Sequence, residues 1–195
     1  MLKRESALEI YNNHESSLHS GIKIQELQFS TKINLRGDLN DINFLSSINN
    51  VLNMSLPQEP NTYTIYENTK IIWLSPNEWL INEENENNKH KLLSELIHSV
   101  GSGKVSVTDV SENRTIIRIS GKKIFKLLTK FLVLDFENNF SKVTSAAQTI
   151  FVKVPVLLVR IHTKNEEPMI DIFTNRSHAN YIFTLLIDGS KNLHF

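Results

Sequence analysis

An α+β fold made of two ββαβββα units in tandem is predicted by three observations. Short stretches of alternating apolar residues recur between segments of helical spacing. The order of elements in the first half returns in the second. Ile33-Asn34-Leu35-Arg36-Gly37 also lies over Ile117-Arg118-Ile119-Ser120-Gly121 at an offset of 84 residues, a match of pattern more than of identity.

The elements follow in order. Ile22, Ile24, Leu27 and Phe29 predict a first strand; Ile33 and Leu35 predict a second, ending at Arg36-Gly37-Asp38. Asp41 is a candidate N-cap for a helix to Leu52, with Phe44, Leu45, Ile48, Val51 and Leu52 on one face. Pro57 and Pro60 mark a loop. Strands are expected at Thr62–Tyr66, Ile71–Leu74 and Glu78–Ile81, then an acidic loop at Asn82–Asn88. A helix from Lys89 to Val100 places Leu92, Leu93, Leu96 and Ile97 inward and stops at Gly101-Ser102-Gly103. The second half gives strands at Val105–Val110 and Thr115–Ser120, then a helix at Lys122–Phe131 burying Ile124, Leu127, Leu128 and Phe131. After a loop come strands near Thr149–Lys153, Val156–Ile161 and Met169–Phe173. A last helix at Ser177–Ile187 buries Tyr181, Ile182, Leu185 and Leu186.

The half-repeats run from about 21 to 100 and from 104 to 189. Each holds a thin core, so residues 21–195 are expected to form a single duplicated domain. Residues 1–20 read as an N-terminal extension. Ala7–Tyr11 suits one or two helical turns, and Asn12–Ser20 is polar and extended, a segment that either docks or frays.

Composition excludes several classes. The chain of 195 residues balances 21 Lys and Arg against 21 Asp and Glu and has no cysteine. That removes disulfide frameworks, thiol nucleophiles, cysteine zinc sites and Fe–S clusters. Zero net charge argues against nucleic-acid binding, which draws on phosphate neutralisation. It also leaves the surface poorly protected against association, a hint of life within an assembly. The start is polar at once, and Val154–Val159 is among the longest apolar runs. A membrane helix needs about 20 apolar residues, so a cytoplasmic protein without membrane contact is expected. The Asn53, Asn113 and Asn139 triplets that fit the glycosylation pattern are then accidents.

Catalytic motifs are missing. No two of the seven histidines stand three or four residues apart, and there is no HExxH, GxGxxG, P-loop or Gly-x-Ser-x-Gly. Gly101-Ser102-Gly103-Lys104 precedes a strand, whereas an anion cradle leads into a helix. Lys122, Lys126 and Lys130 make a basic stripe, read as a solvated face with acidic-partner docking as the alternative. Trp73 and Trp79 flank one tight turn, either as core of a small sheet or as interface aromatics. Asp109-Val110-Ser111-Glu112-Asn113-Arg114-Thr115 is a polar turn between apolar strands, either an Asx turn or a functional one. Arg36, Arg114 and Arg176 sit at element boundaries in a chain that otherwise prefers Lys, so planar contacts to carboxylates or carbonyls are expected of them.

These boundary motifs form an ordered series. Leu35-Arg36-Gly37-Asp38 is followed by Phe44-Leu45, Leu56-Pro57-x-x-Pro60-Asn61 and Trp73-Leu74-Ser75-Pro76-Asn77-Glu78-Trp79-Leu80. Then come Asp109-Val110-Ser111-x-x-Arg114-Thr115, Ile119-Ser120-Gly121, Ala147-Gln148-Thr149 and Arg176-Ser177-x-x-x-Tyr181. Over about residues 20–189 the series resembles the gamma subunits of heterotetrameric sarcosine oxidases. Ser141–Thr144 lacks the family's usual glycine, and His178 replaces a frequent aromatic.

The resemblance implies a fold like the folate-binding domain of glycine-cleavage aminomethyltransferases, with the first strand of each half exchanged. It implies a non-catalytic subunit, needed for assembly, in a complex that demethylates sarcosine oxidatively to glycine, hydrogen peroxide and 5,10-methylenetetrahydrofolate. Alpha, beta and delta subunits would be its partners, alpha most directly. FAD, FMN, NAD, zinc and tetrahydrofolate would sit on or between those subunits, none on this chain. The alternative is a stand-alone folate-binding aminomethyltransferase-like protein, with Asp109, Glu78 or Arg114 in a pterin pocket. The candidates for an interface or a vestigial pocket are Arg36, Asp38, Trp73, Glu78, Trp79, Asp109, Arg114 and Arg176; no catalytic, cofactor-binding or metal residue is assigned.

Overall fold

The computed structural model describes residues 4–11, 17–19, 21–101, 104–140, 142, 144–161, 167–191 and 193. The first half holds β1 (Ser17–His19), β2 (Ile22–Glu26), β3 (Thr31–Arg36), α1 (Ile42–Leu52), β4 (Tyr63–Tyr66), β5 (Thr69–Ser75), β6 (Glu78–Glu83) and α2 (Lys89–Val100). The second holds β7 (Ser106–Asp109), β8 (Arg114–Ser120), α3 (Ile124–Leu128), α4 (Phe136–Asn139), β9 (Ala146–Phe151), β10 (Val154–Ile161), β11 (Met169–Asn175) and α5 (Arg176–Lys191). Each half thus reads ββαβββα, with β1 and α4 added.

Two antiparallel sheets result. One has the order β1-β2-β8-β11-β10-β9 and the other β4-β5-β6-β3-β7. The first strands are exchanged. β2 precedes β3 in the chain but pairs with β8, placing Ile24 opposite Ile119. β7 precedes β8 but pairs with β3, placing Val107 opposite Leu35. Leu35 and Ile119 are partners in the 84-residue repeat, so both exchanges fall on the same rung.

The chain accordingly divides into two compact units, Phe29–Ser111 and the combination of Met1–Gln28 with Glu112–Phe195. In the contiguous unit, Ile33, Leu35, Ile71, Trp79 and Ile81 of the sheet pack with Phe44, Ile48 and Leu52 of α1 and Leu96 of α2. Asp41 caps α1 as predicted, accepting from the amides of Asn43 (3.0 Å) and Phe44 (3.2 Å). In the other unit, Ile22, Ile24, Ile117, Ile119, Ile170 and Ile172 line the sheet against α3 and α5. Side chains of this size contribute roughly 1.5–3 kcal/mol each when fully buried.

Several expectations are corrected. The first strand ends at Glu26, short of Leu27 and Phe29. Asn82 and Glu83 are not loop but the end of β6, both buried. They are tolerated because Ser30 donates to Asn82 (3.1 Å), and Thr69 (2.6 Å) and the Asn85 amide (2.7 Å) donate to Glu83. In α2 only Leu96 is fully buried, and Ile97 is 49% exposed. The helix expected over Lys122–Phe131 starts only at Ile124, where Lys123 gives no side-chain cap, and closes at Leu128, past which the Lys130 and Phe131 amides bond three residues back. The following loop contains α4, capped by Asp135. α5 turns Ala179, Ile182, Phe183 and Leu186 inward and leaves Tyr181 44% exposed.

The N-terminal extension is docked where it is described. Glu9–Tyr11 makes one 3-10 turn, and β1 pairs with β2. Leu8 is buried, and the Ala7 (3.2 Å) and Leu8 (3.0 Å) amides donate to Glu26. The remainder of the Asn12–Ser20 expectation, at 12–16 and 20, lies outside the described residues, as do Ser102 and Gly103 of the expected helix stop.

Candidate functional site

In the unit Phe29–Ser111, the end of β3 and the start of β6 bring Arg36, Asp38 and Glu78 to one rim. Arg36 is 3.8 Å from Glu78, which also accepts from the Asn34 amide nitrogen at 2.7 Å. Asp38 accepts from the backbone and side chain of Asn40, both at 2.9 Å, forming the turn that leads into α1. Arg36 and Asp38 line an open groove of about 1060 Å³ with Asn77, Pro76 and Lys104. Trp73 and Trp79 face each other across the β5–β6 pair, beside a bulge at Trp73–Ser75. Trp79 is 0% exposed, donates from Nε1 to the Pro57 carbonyl (2.9 Å) and packs 6.1 Å from the Phe44 ring. Its burial makes it core and leaves nothing for a partner. Trp73 is partly buried against the same core.

Asp109 ends the exchanged strand β7. It accepts from the Ser111 amide (3.0 Å) and hydroxyl (2.6 Å), and Lys89 at the start of α2 pairs with it at 2.8 Å. Burial pushes its carboxyl up, but these donors and the Lys89 charge outweigh burial, and the carboxyl sits below its ordinary value. Asp109 stands opposite Ile33; in the other sheet Glu26 stands opposite Ile117, the repeat partner of Ile33. Glu26 accepts from Thr115 and from the amides of Ala7 and Leu8. Both exchanged strands therefore end in a carboxylate that pins the chain where it leaves the sheet. The spacing of 83 residues between Glu26 and Asp109 was a readable signal that hydrophobic patterning does not score.

In the unit containing Glu112–Phe195, Arg176 donates to the Glu5 carbonyl at 2.6 Å and lies 4.0 Å from Glu112, which also pairs with Arg4. Arg176 thus makes the carbonyl contact expected of it, whereas Arg36 only approaches a carboxylate, at 3.8 Å, without a planar hydrogen-bonded pair. Arg114 lines a cavity of about 340 Å³ on the face of β8, β11, β10 and β9 away from the helices. Phe173, Leu157, Pro155, Ile150, Gln148 and Asn175 line it as well. Two lysines of the basic stretch bind carbonyls of the chain itself. Lys130 donates to that of Gly189 (2.9 Å) and Lys123 to that of Leu193 (3.5 Å), at the negative end of α5.

Among the described residues no three His, Asp or Glu side chains gather in a way that could hold a metal ion. No described helix is long and apolar enough to cross a membrane. Arg36, Glu78, Asp109 and Arg176 are each engaged within the chain, Arg36 near Glu78, Asp109 with Lys89 and Ser111, and Arg176 with the Glu5 carbonyl, an arrangement that holds turns and strand ends.

The fold places the chain in a class. Its duplicated, strand-exchanged α+β fold is like that of aminomethyltransferase T. The glycine cleavage system aminomethyltransferase T from Bartonella henselae superimposes with a TM-score of 0.63 at 14% identity, over 89% of this chain and 47% of that one. A chain of the heterotetrameric sarcosine oxidase from Corynebacterium sp. U-96, solved with pyrrole 2-carboxylate, superimposes with a TM-score of 0.86 at 22% identity, over 98% of both chains. The sarcosine oxidase subunit gamma of Corynebacterium sp. strain P-1 is 27% identical over 148 residues, 75% of this chain and 70% of the relative. That of an Arthrobacter species matches to the same extent. The model of the sarcosine oxidase gamma subunit family matches residues 36–192, and the chain belongs to that family.

Proposed function

We propose that this chain is a non-catalytic subunit of a sarcosine oxidase complex and serves its assembly and stability. The complex would convert sarcosine to glycine and hydrogen peroxide in the cytoplasm and pass the one-carbon unit to tetrahydrofolate. The observation that carries this reading is the end-to-end superposition on a chain of the heterotetrameric enzyme, 98% of each. Only 47% of the aminomethyltransferase is spanned, so that likeness supports the fold and not a free-standing transferase. The internal engagement of Asp109 and Glu78, which a pterin pocket would need unengaged, points the same way.

Alpha, beta and delta subunits would be the partners, alpha most directly. FAD, FMN, NAD, zinc and tetrahydrofolate would reside on or between them. The test is coexpression of the four chains with and without this one. The expected result is a complex that copurifies with this chain and loses integrity when it is omitted. A three-chain complex that assembles and turns over normally would sink the proposal. So would micromolar binding of tetrahydrofolate to the isolated chain with no association to the other three.

A further inference from the structure

We propose that the β9 edge is the surface on which another subunit of the complex docks, by laying an extended acidic segment along β9 as an added strand. The proposal rests on the subunit reading above and deepens it.

β9 is the last strand of its sheet and, among the described residues, pairs with β10 alone. The two-residue turn Val152-Lys153 makes Phe151 and Val154 the closing pair. On the next rung Ile150 therefore turns its N–H and C=O away from β10, towards the open edge. Edges of this kind are normally guarded by charge, proline or a bulge. Ala146–Phe151 carries no charged residue, and Ile150 is 54% exposed. Val152 adds a second exposed apolar side chain, at 43%. It also lies at φ 57°, where a β-branched residue is strained and Asn or Gly would not be. The Val152 amide donates to the Phe131 carbonyl (2.7 Å), which fixes the turn from within the chain; the two apolar side chains, Ile150 and Val152, are what it leaves to solvent.

The cavity lined by Phe173, Leu157, Pro155 and Ile150 adjoins the same hairpin. An incoming strand sends alternate side chains towards it. Charge selects the partner. Between Glu137 and Glu166 the sequence has no acidic residue, and on either side of β9 the exposed charges are Lys142 and Lys153. Arg114 is the one charged side chain among the described residues that line the cavity. The complement is a segment that alternates apolar and acidic residues, guided to the edge by its charge.

The test compares assembly of the four-chain complex with the wild-type chain and three variants. Ile150→Lys should weaken association about tenfold or more, as loss of a central apolar anchor does. Ile65→Lys alters an equally exposed residue (53%) on the β4 edge of the other sheet and should assemble normally. Lys153→Glu should weaken assembly and flatten its dependence on salt. In the wild-type complex, amide exchange at Ile150 should slow on assembly.

Normal assembly of a folded Ile150→Lys chain overturns the proposal, as does loss of assembly with Ile65→Lys alone. If Ile150→Lys unfolds the chain, exchange decides: an Ile150 amide as fast in the complex as in the free chain overturns it. Loss of self-association by Ile150→Lys, with the complex intact, identifies a second copy as the occupant and also overturns it. A wild-type chain that does not assemble overturns the subunit reading and this one together; a wild-type chain that assembles, with variants that depart from the predicted pattern, overturns this one alone.

Discussion

Gly37 and Gly121 are partners in the repeat, yet alanine should affect them differently. At Gly121 the backbone lies at φ 128°, a region open to glycine alone, and an added Cβ would stand 2.2 Å from the Gly21 carbonyl oxygen and 3.2 Å from Ile22 Cα. Those are backbone atoms leading into β2, where Ile22 and Ile24 are fully buried and Lys23 pairs with Ser120. Little can move. Conformational strain of about 1–3 kcal/mol and overpacking of about 1–3 kcal/mol add to roughly 2–6 kcal/mol, a large share of the 5–15 kcal/mol typical of a domain. At Gly37 the new Cβ would meet the Phe44 ring at 2.4 Å, a side chain and not backbone. There the cost should be overpacking alone, about 1–3 kcal/mol, and Phe44→Leu should recover part of it in a double-mutant cycle. Urea denaturation followed by circular dichroism reads both. A Gly121→Ala chain within about 0.5 kcal/mol of wild type, or one rescued by Phe44→Leu, would refute the reasoning.

Four further outcomes are expected. Asp171→Ala should cost about 3–5 kcal/mol, because Arg118 grips the buried carboxylate at 2.6 and 2.8 Å, while Arg118→Met with Asp171→Leu should be far milder in the same melts. Asp109→Asn should matter most near neutrality. The folded carboxyl is depressed, so its contribution is complete above its unfolded value of about 4 and fades as pH falls through the folded one; the gap in urea midpoint between wild type and variant should close from pH 6 towards pH 3. Leu8→Ala should cost about 2–5 kcal/mol of thermal or urea stability, since Leu8 belongs to a buried core and not to a tail. The chain passes between the two units at Gln28–Phe29 and at Ser111–Glu112, so residues 21–195 are proposed to unfold as one domain; Trp73 and Trp79 fluorescence and far-ultraviolet circular dichroism should then report one shared midpoint.

What could be read from the chain was what depends on neighbours in sequence. Asp41 announced α1 because its cap reaches only two and three residues ahead. The repeat of Ile33–Gly37 at Ile117–Gly121 announced the duplication. Pairing partners were beyond reach: nothing in the alternation of Ile22 and Ile24 says that β8, and not β3, lies beside them, and the exchange entered only through the resemblance. Polar residues misled for the same reason. Asn82 and Glu83 read as loop because Ser30 and Thr69, which satisfy them, are far away in sequence. Arg176 was legible as a boundary arginine with a carbonyl partner, but Lys89 stood twenty residues from Asp109 without any local sign of their contact. Lys130 read as part of a solvated stripe until α5 set the Gly189 carbonyl against it.

Strand exchange also sets an order of events during synthesis. Everything in the unit Phe29–Ser111 has left the ribosome once Ser111 emerges, so that unit can close early. β2 cannot: Ile24 must wait for Ile119, about 95 residues behind it. At 5–20 residues per second the delay is roughly 5–20 seconds. Throughout it an apolar strand with only the short β1 beside it keeps its other edge open, next to an N-terminal segment whose Leu8 has no core yet to enter. The exchange that completes both sheets leaves the β8-facing edge of β2 open the longest, and early capture of that edge by a chaperone or a neighbouring nascent chain is the hazard this topology carries.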